Sequence, residues 1–130
     1  MTGVSRILVV EDNPLNLKLV RDVLTASGYE VLSAVSGEEG VTLAATCDPD
    51  LVLMDLQLPG FDGYEALRRL REDPSLRSVP VVAVTAFAMR EDRERARTSG
   101  FDGYLEKPIS IRELPAQVSA FIGRGRAGAQ

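Results

Sequence analysis

The sequence predicts an α/β fold in which a five-stranded parallel sheet carries five helices on its two faces. Three observations point there. The apolar runs at 7–10, 51–54 and 81–84 are short, rich in β-branched residues and uninterrupted by polar ones. Strands buried on both faces read this way, and such strands belong to parallel sheets. Segments with apolar residues at helical spacing separate the runs, and strict strand–helix alternation implies right-handed crossovers between parallel strands. The 130 residues suit one domain, able to bury about two-thirds of its unfolded surface.

Taken in order, Ile7-Leu-Val-Val10 is the first strand, followed by a helix whose apolar face is Leu19, Val20, Val23 and Leu24. Residues 30–34 and 102–105 are weaker strands. Each follows a Ser-Gly-aromatic step, Ser27-Gly28-Tyr29 and Ser99-Gly100-Phe101, where the glycine ends a helix and turns the chain. Val41, Ala44 and Ala45 mark the second helix, and Tyr64, Leu67 and Leu70 the third. Residues 89–98 are mostly charged, with helix-supporting spacings of Arg90 to Glu94 and Glu91 to Arg95. Leu114, Val118, Phe121 and Ile122 form the last helical face, and Ser110-Ile-Arg-Glu113 reads as its capping box. Pro115 removes a backbone donor there, so the helix is expected either to start nearer Pro115 or to have an irregular first turn. The reading is a single domain over 1–122 and a flexible tail over 123–130.

Composition removes whole classes of function. There is no histidine, which excludes a Ser-His-Asp triad, a histidine-based zinc site and a phosphohistidine donor. The single cysteine, Cys47, permits no intramolecular disulfide and suits a reducing cytoplasm, where it is an inert small residue. No apolar run approaches the ~20 residues of a membrane span, and the first six residues lack the apolar stretch of a signal peptide. A net charge of −4 argues against nucleic acid as a partner. Residues 90–97 read as a solvated helix face, and Arg124 with Arg126 are too few for a polybasic anchor.

The polar residues fall where chemistry is expected. Glu11-Asp12, Asp55, Thr85-Ala86 and Lys107-Pro108 each follow a strand. Ligands of open parallel sheets bind beyond the carboxyl ends of the strands, so three carboxylates, a hydroxyl and an amine should converge there. Carboxylates at close quarters repel, and a cation among them relieves this. An all-oxygen set suits magnesium, with manganese as an alternative; Glu11 and Asp12 read equally well as acids capping the first helix. Asp55 follows four apolar residues and fits a nucleophile that forms an aspartyl-phosphate. Lys107, one of two lysines, would supply compensating charge. Thr85 would bond a phosphoryl oxygen or simply end a strand.

Four segments, Val10-Glu-Asp-Asn13, Leu53-Met-Asp-Leu-Gln-Leu-Pro-Gly60, Val81-Val-Ala-Val-Thr-Ala86 and Tyr104-Leu-Glu-Lys-Pro108, together resemble the receiver domain of two-component response regulators. The resemblance runs from Arg6 to Ile122. Residues 80–89 and Lys107-Pro-Ile-Ser110 are similar to single-domain regulators of cell division, and also to receivers attached to hybrid kinases. It implies a flavodoxin-like sheet in the order 2-1-3-4-5. Asp55 would accept phosphate from a phosphohistidine on a histidine kinase or histidine phosphotransfer protein. Asp12, Asp55 and the Gln57 backbone carbonyl would bind magnesium, with Glu11 acting through a water on the metal. Lys107 would contact the phosphoryl group, positioned by a cis bond to Pro108. Thr85 and Tyr104 would form a switch toward a downstream protein target, the chain being a monomer or a weak phosphorylation-dependent dimer. Gln57 and Phe87 occupy the positions that tune dephosphorylation; neither offers a carboxylate, which implies a long-lived phosphorylated state.

The expected function is a cytoplasmic, stand-alone phosphoacceptor switch that catalyses only its own phosphorylation and dephosphorylation. With no output domain after residue 122, direct transcriptional control is not expected. A constitutive adaptor of the same fold and the detached receiver of a hybrid histidine kinase are the alternatives. An aspartate-nucleophile phosphatase of the haloacid dehalogenase type is disfavoured, because its acid–base aspartate would stand where Gln57 does.

Overall fold

Five strands and five helices alternate along the chain in the computed structural model, which describes residues 4–60, 62–86 and 89–124. They are β1 (Arg6–Val10), α1 (Pro14–Ala26), β2 (Glu30–Ala34), α2 (Gly37–Cys47), β3 (Leu51–Asp55), α3 (Gly63–Glu72), β4 (Val81–Thr85), α4 (Arg90–Thr98), β5 (Gly103–Glu106) and α5 (Leu114–Arg124). A short 3-10 turn, Pro74–Leu76, precedes β4. The strands form one sheet in the order β2-β1-β3-β4-β5, all neighbours parallel.

Alternate side chains of each strand enter opposite layers, as the pleat requires. Ile7, Val9, Leu51, Leu53, Val82 and Val84 pack against α1 and α5 through Leu17, Val20, Leu24, Leu114, Val118 and Phe121. Leu8, Val10, Val52, Met54, Val81 and Ala83 pack against α2 and α3 through Ala44, Ala66, Leu67 and Leu70. The three central strands are therefore buried on both faces, which explains their unbroken apolar runs.

The strand starts are tied by side chains. The Asp50 amide donates to the Arg6 carbonyl (2.7 Å), and the Asp50 carboxylate accepts from the Arg6 amide (2.7 Å). Asp102 repeats the device on Val81 at 2.8 and 2.9 Å. Its carboxylate, nearly fully buried, also pairs with Arg71 at 2.9 Å, while Arg71 donates to the carbonyls of Leu76 and Val79. Arg6 reaches Glu30 at 3.0 Å and the Cys47 carbonyl.

Four sequence expectations need correction. Leu17 replaces Leu19 on the buried face of α1, and Leu19 is 43% exposed. Ala45 of α2 is exposed. β5 runs from Gly103 to Glu106 rather than over 102–105, because Asp102 is occupied in closing the ladder. In α4 the pairs Arg90–Glu94 and Glu91–Arg95 do not form: Glu94 takes Arg97 at 3.0 Å, and Arg95 lies over the Tyr64 ring. The alternatives at Pro115 combine. Residues 111–113 form a turn, with Ser110 accepting the Glu113 amide on its hydroxyl (3.2 Å) and the Leu114 amide on its carbonyl (2.9 Å). The helix then starts at Leu114, so Pro115 sits in the first turn, where its missing N–H costs nothing. Gly123 and Arg124 continue α5, two residues past the expected boundary, and residues 125–130 lie outside the described ones.

Candidate functional site

The carboxyl ends of β1, β3 and β4, with the loop after β5, bring the predicted residues to one place. Asp55 is the last residue of β3 and is 2% exposed. Its Oδ1 accepts the Gln57 amide at 2.8 Å, and its Oδ2 accepts Lys107 Nζ at 2.7 Å. Glu11 follows β1, is 4% exposed, and meets the same ammonium at 3.0 Å. Lys107 thus bridges two buried carboxylates. It is held by its own amide, which donates to the Thr85 carbonyl at 2.8 Å; the peptide bond that follows, to Pro108, is cis.

Asp12 is exposed, yet its carboxylate stands with those of Glu11 and Asp55. One oxygen from each of the three lies within 4.8 Å of the others. Three carboxylate oxygens at this spacing match what one small hard cation would need. The capping alternative falls away, because Asn13 caps α1: its side chain accepts the amides of Leu15 and Asn16 at 3.0 Å each, with Pro14 at the first helical position. Glu11 instead accepts the Asn13 amide at 3.0 Å.

The electrostatics follow from burial. Removal from water pushes the Glu11 carboxyl above its ordinary range, reinforced by Asp55 and opposed by the Asn13 amide and Lys107. For Lys107, burial favours the neutral amine, but the hydrogen bonds and attraction of Asp55 and Glu11 together outweigh it. Its pKa is raised, and the group is an ammonium at neutral pH.

Thr85 ends β4 and is 1% exposed. It lies two residues beyond Ala83, the register partner of Tyr104, and so shares the face of the sheet on which Tyr104 is half-buried. Tyr104 carries Arg93 at 5.7 Å from its ring centroid. Gln57 is exposed beside the site, whereas Phe87 lies outside the described residues.

The sequence pattern does not announce Gly63. A Cβ there would stand 2.5 Å from the Asp55 carbonyl oxygen and 2.9 Å from Leu56 Cα. The first turn of α3 is pressed directly onto the end of β3, and the Gly63 amide donates to the Leu56 carbonyl at 3.2 Å. The signal available in the sequence was Asp62-Gly63 before a helical run; Asp62 caps α3 by accepting the Glu65 amide.

A buried aspartate paired with a half-buried lysine and neighbouring acids, at the carboxyl edge of a 2-1-3-4-5 parallel sheet, define a receiver domain. The chain belongs to the response regulator receiver domain family, whose pattern matches residues 7–119. Within it, the chain is 47% identical over 117 residues to the polar-differentiation response regulator DivK of Brucella ovis, covering 90% of this chain and 95% of that one. The Brucella anthropi DivK is 46% identical over the same shares. Among solved structures, the receiver domain of the sensor histidine kinase PA1611 from Pseudomonas aeruginosa PAO1 superimposes with a TM-score of 0.85 at 38% identity, covering 93% of this chain and 99% of that one. That structure has a magnesium ion coordinated in its active-site cleft. A CheY-like receiver domain protein from Methanospirillum hungatei JF-1 matches with a TM-score of 0.84 at 28% identity, covering 94% and 96%.

Proposed function

We propose that this chain is a phosphorylation switch whose Asp55 accepts a phosphoryl group from a phosphohistidine protein in a magnesium-dependent reaction. The observation that carries the reading is the buried Asp55 carboxylate, held 2.7 Å from Lys107 and within reach of Glu11 and Asp12. An Asp55 oxygen attacks phosphorus, an O–P bond forms as the N–P bond of phosphohistidine breaks, and the departing imidazole keeps the electron pair and takes up a proton. Magnesium, held by Asp12, Asp55 and the Gln57 carbonyl with Glu11 behind them, would supply positive charge opposite the phosphoryl oxygens. Lys107 supplies the second cation and exchanges its bond to Asp55 for one to a phosphoryl oxygen.

A protein donor suits the surroundings. Leu15 (78% exposed), Val35, Met89 and Ile111 are exposed apolar residues on four different segments at this end of the sheet. A groove of about 280 Å³ lined by Leu19, Val20, Pro108 and Ile109 adjoins Lys107. Such apolar surface is wasted on a small phosphodonor and suits a helical protein face.

Thr85 then moves toward the phosphate, and Tyr104 turns into the space this leaves. The surface of α4, β5 and α5 changes and binds a downstream protein. The absence of a carboxylate on Gln57 and Phe87 favours a persistent phosphorylated state. The receiver domain, expected over 1–122, is assigned through the end of α5 at Arg124. The 47% identity to DivK across 95% of that protein supports the stand-alone regulator over a detached kinase receiver, and we place it in the cytoplasm. Among the described residues no helix is long and apolar enough to cross a membrane.

Incubation with a radiolabelled histidine phosphotransfer protein tests the donor. Label should pass to the parent chain and not to Asp55→Asn; label that stays on the donor across a panel of such proteins contradicts the reading.

A further inference from the structure

α4 is the most weakly anchored helix. Its one buried residue is Ala96, and Met89 at its N-cap makes no side-chain capping bond. Two arginines hold it instead. Arg93 lies 5.7 Å from the Tyr104 ring centroid and 3.6 Å from Glu106 of β5. Arg95 lies 4.1 Å from the centroid of Tyr64, whose ring also meets the edge of Phe101 at 5.7 Å and 78°. Tyr64 follows Gly63, and Gly63 is in backbone contact with the acceptor strand at Asp55 and Leu56. The Tyr64–Arg95 contact therefore joins the loop after the acceptor aspartate to α4 by a route that does not pass through Thr85 or Tyr104.

We propose that Tyr64 is a positioning residue that latches α4 in its unphosphorylated place through Arg95. Inward rotation of Tyr104 surrenders the Arg93–ring contact, and the Tyr64–Arg95 contact, together with the exposed Arg93–Glu106 pair, is then what α4 must break to move. A cation over an aromatic face at a part-exposed site changes an equilibrium by roughly fivefold. Removing the latch therefore raises the population of the displaced helix by about that factor. This coupling to phosphorylation rests on the reading of Asp55 as acceptor; the latch itself does not.

The test compares Tyr64→Leu, Tyr64→Phe and Arg95→Met with the parent by two readouts. Hydrogen exchange of the 90–98 amides, with no phosphodonor present, should quicken about fivefold in Tyr64→Leu and Arg95→Met, and stay near the parent in Tyr64→Phe, which keeps the aromatic face. The magnesium-dependent rate of phosphorylation by phosphoramidate should rise in the same two variants and not in Tyr64→Phe. Unchanged α4 exchange in both variants, or equal acceleration across all helices, overturns the latch. Faster α4 exchange with an unchanged phosphorylation rate overturns its coupling to the switch. A parent that takes no phosphate overturns the acceptor reading, and α4 exchange then decides the latch alone.

Discussion

At the scale of single residues, Lys107 decides the balance of the site. Glu11 and Asp55 are nearly inaccessible, and one ammonium compensates both. Without metal, Lys107→Met should destabilise the fold by about 3 kcal/mol, because it leaves buried carboxylates facing each other. Asp55→Asn should not destabilise it: a hydrogen bond to Lys107 can persist while a repulsion disappears. Urea denaturation in a chelator checks both, and equal losses in the two variants would refute the charge argument. Glu11 supplies the pH dependence. Its pKa is raised on folding, so the native state binds the proton more tightly than the unfolded chain, and ionised Glu11 costs stability at neutral pH. Glu11→Gln should accordingly be the more stable protein at pH 7 in chelator. Its advantage should shrink as the pH falls through the raised Glu11 value and the parent takes up the proton; an advantage that grows on acidification would be the wrong sign.

At the scale of elements, two glycines show which contacts serve the site and which serve only the fold. A Cβ at Gly63 would strike the backbone of Asp55 and Leu56, which cannot turn aside, whereas a Cβ at Gly103 would strike the Phe121 ring. Each alanine variant should lose about 1–3 kcal/mol through overpacking. Only Gly63→Ala should also weaken magnesium binding, measured by calorimetry, because only it displaces the end of β3. Much at this scale is readable from sequence. The runs at 7–10, 51–54 and 81–84 are legible because burial on both faces imposes an unbroken apolar pattern. The site residues are legible because each stands at the carboxyl end of a strand or just beyond it. Leu19 misleads because it continues a helical apolar spacing while the core takes Leu17. The Arg71–Asp102 pair and the Arg95–Tyr64 stack are not legible, because their partners lie 31 residues apart in sequence in the first case and on a different helix in the second. Local spacing assigns such charges to neighbours four residues away, as with Glu91 and Arg95.

At the scale of the whole molecule, the two ends of the sheet have opposite designs. At the amino ends, Asp50 and Asp102 are satisfied by backbone amides, and Asp102 also by Arg71, so the strands are fixed there. At the carboxyl ends three acids converge and two of them share one lysine, leaving negative charge for a cation to relieve. Apolar residues surround that end, and the half-buried Tyr104 with the loosely held α4 provide the part that can move. Magnesium binding to the native state should raise the stability of the whole fold, by about 2.7 kcal/mol at a hundred times its dissociation constant. On the function proposed above, this end of the sheet makes Asp55 a phosphoacceptor. Intact-protein mass after incubation with phosphoramidate or acetyl phosphate, with and without magnesium and beside Asp55→Asn, tests it most directly. One added phosphoryl group, only with magnesium and only on the parent chain, is the predicted result. No added mass under any condition, or the same addition on Asp55→Asn, would contradict it.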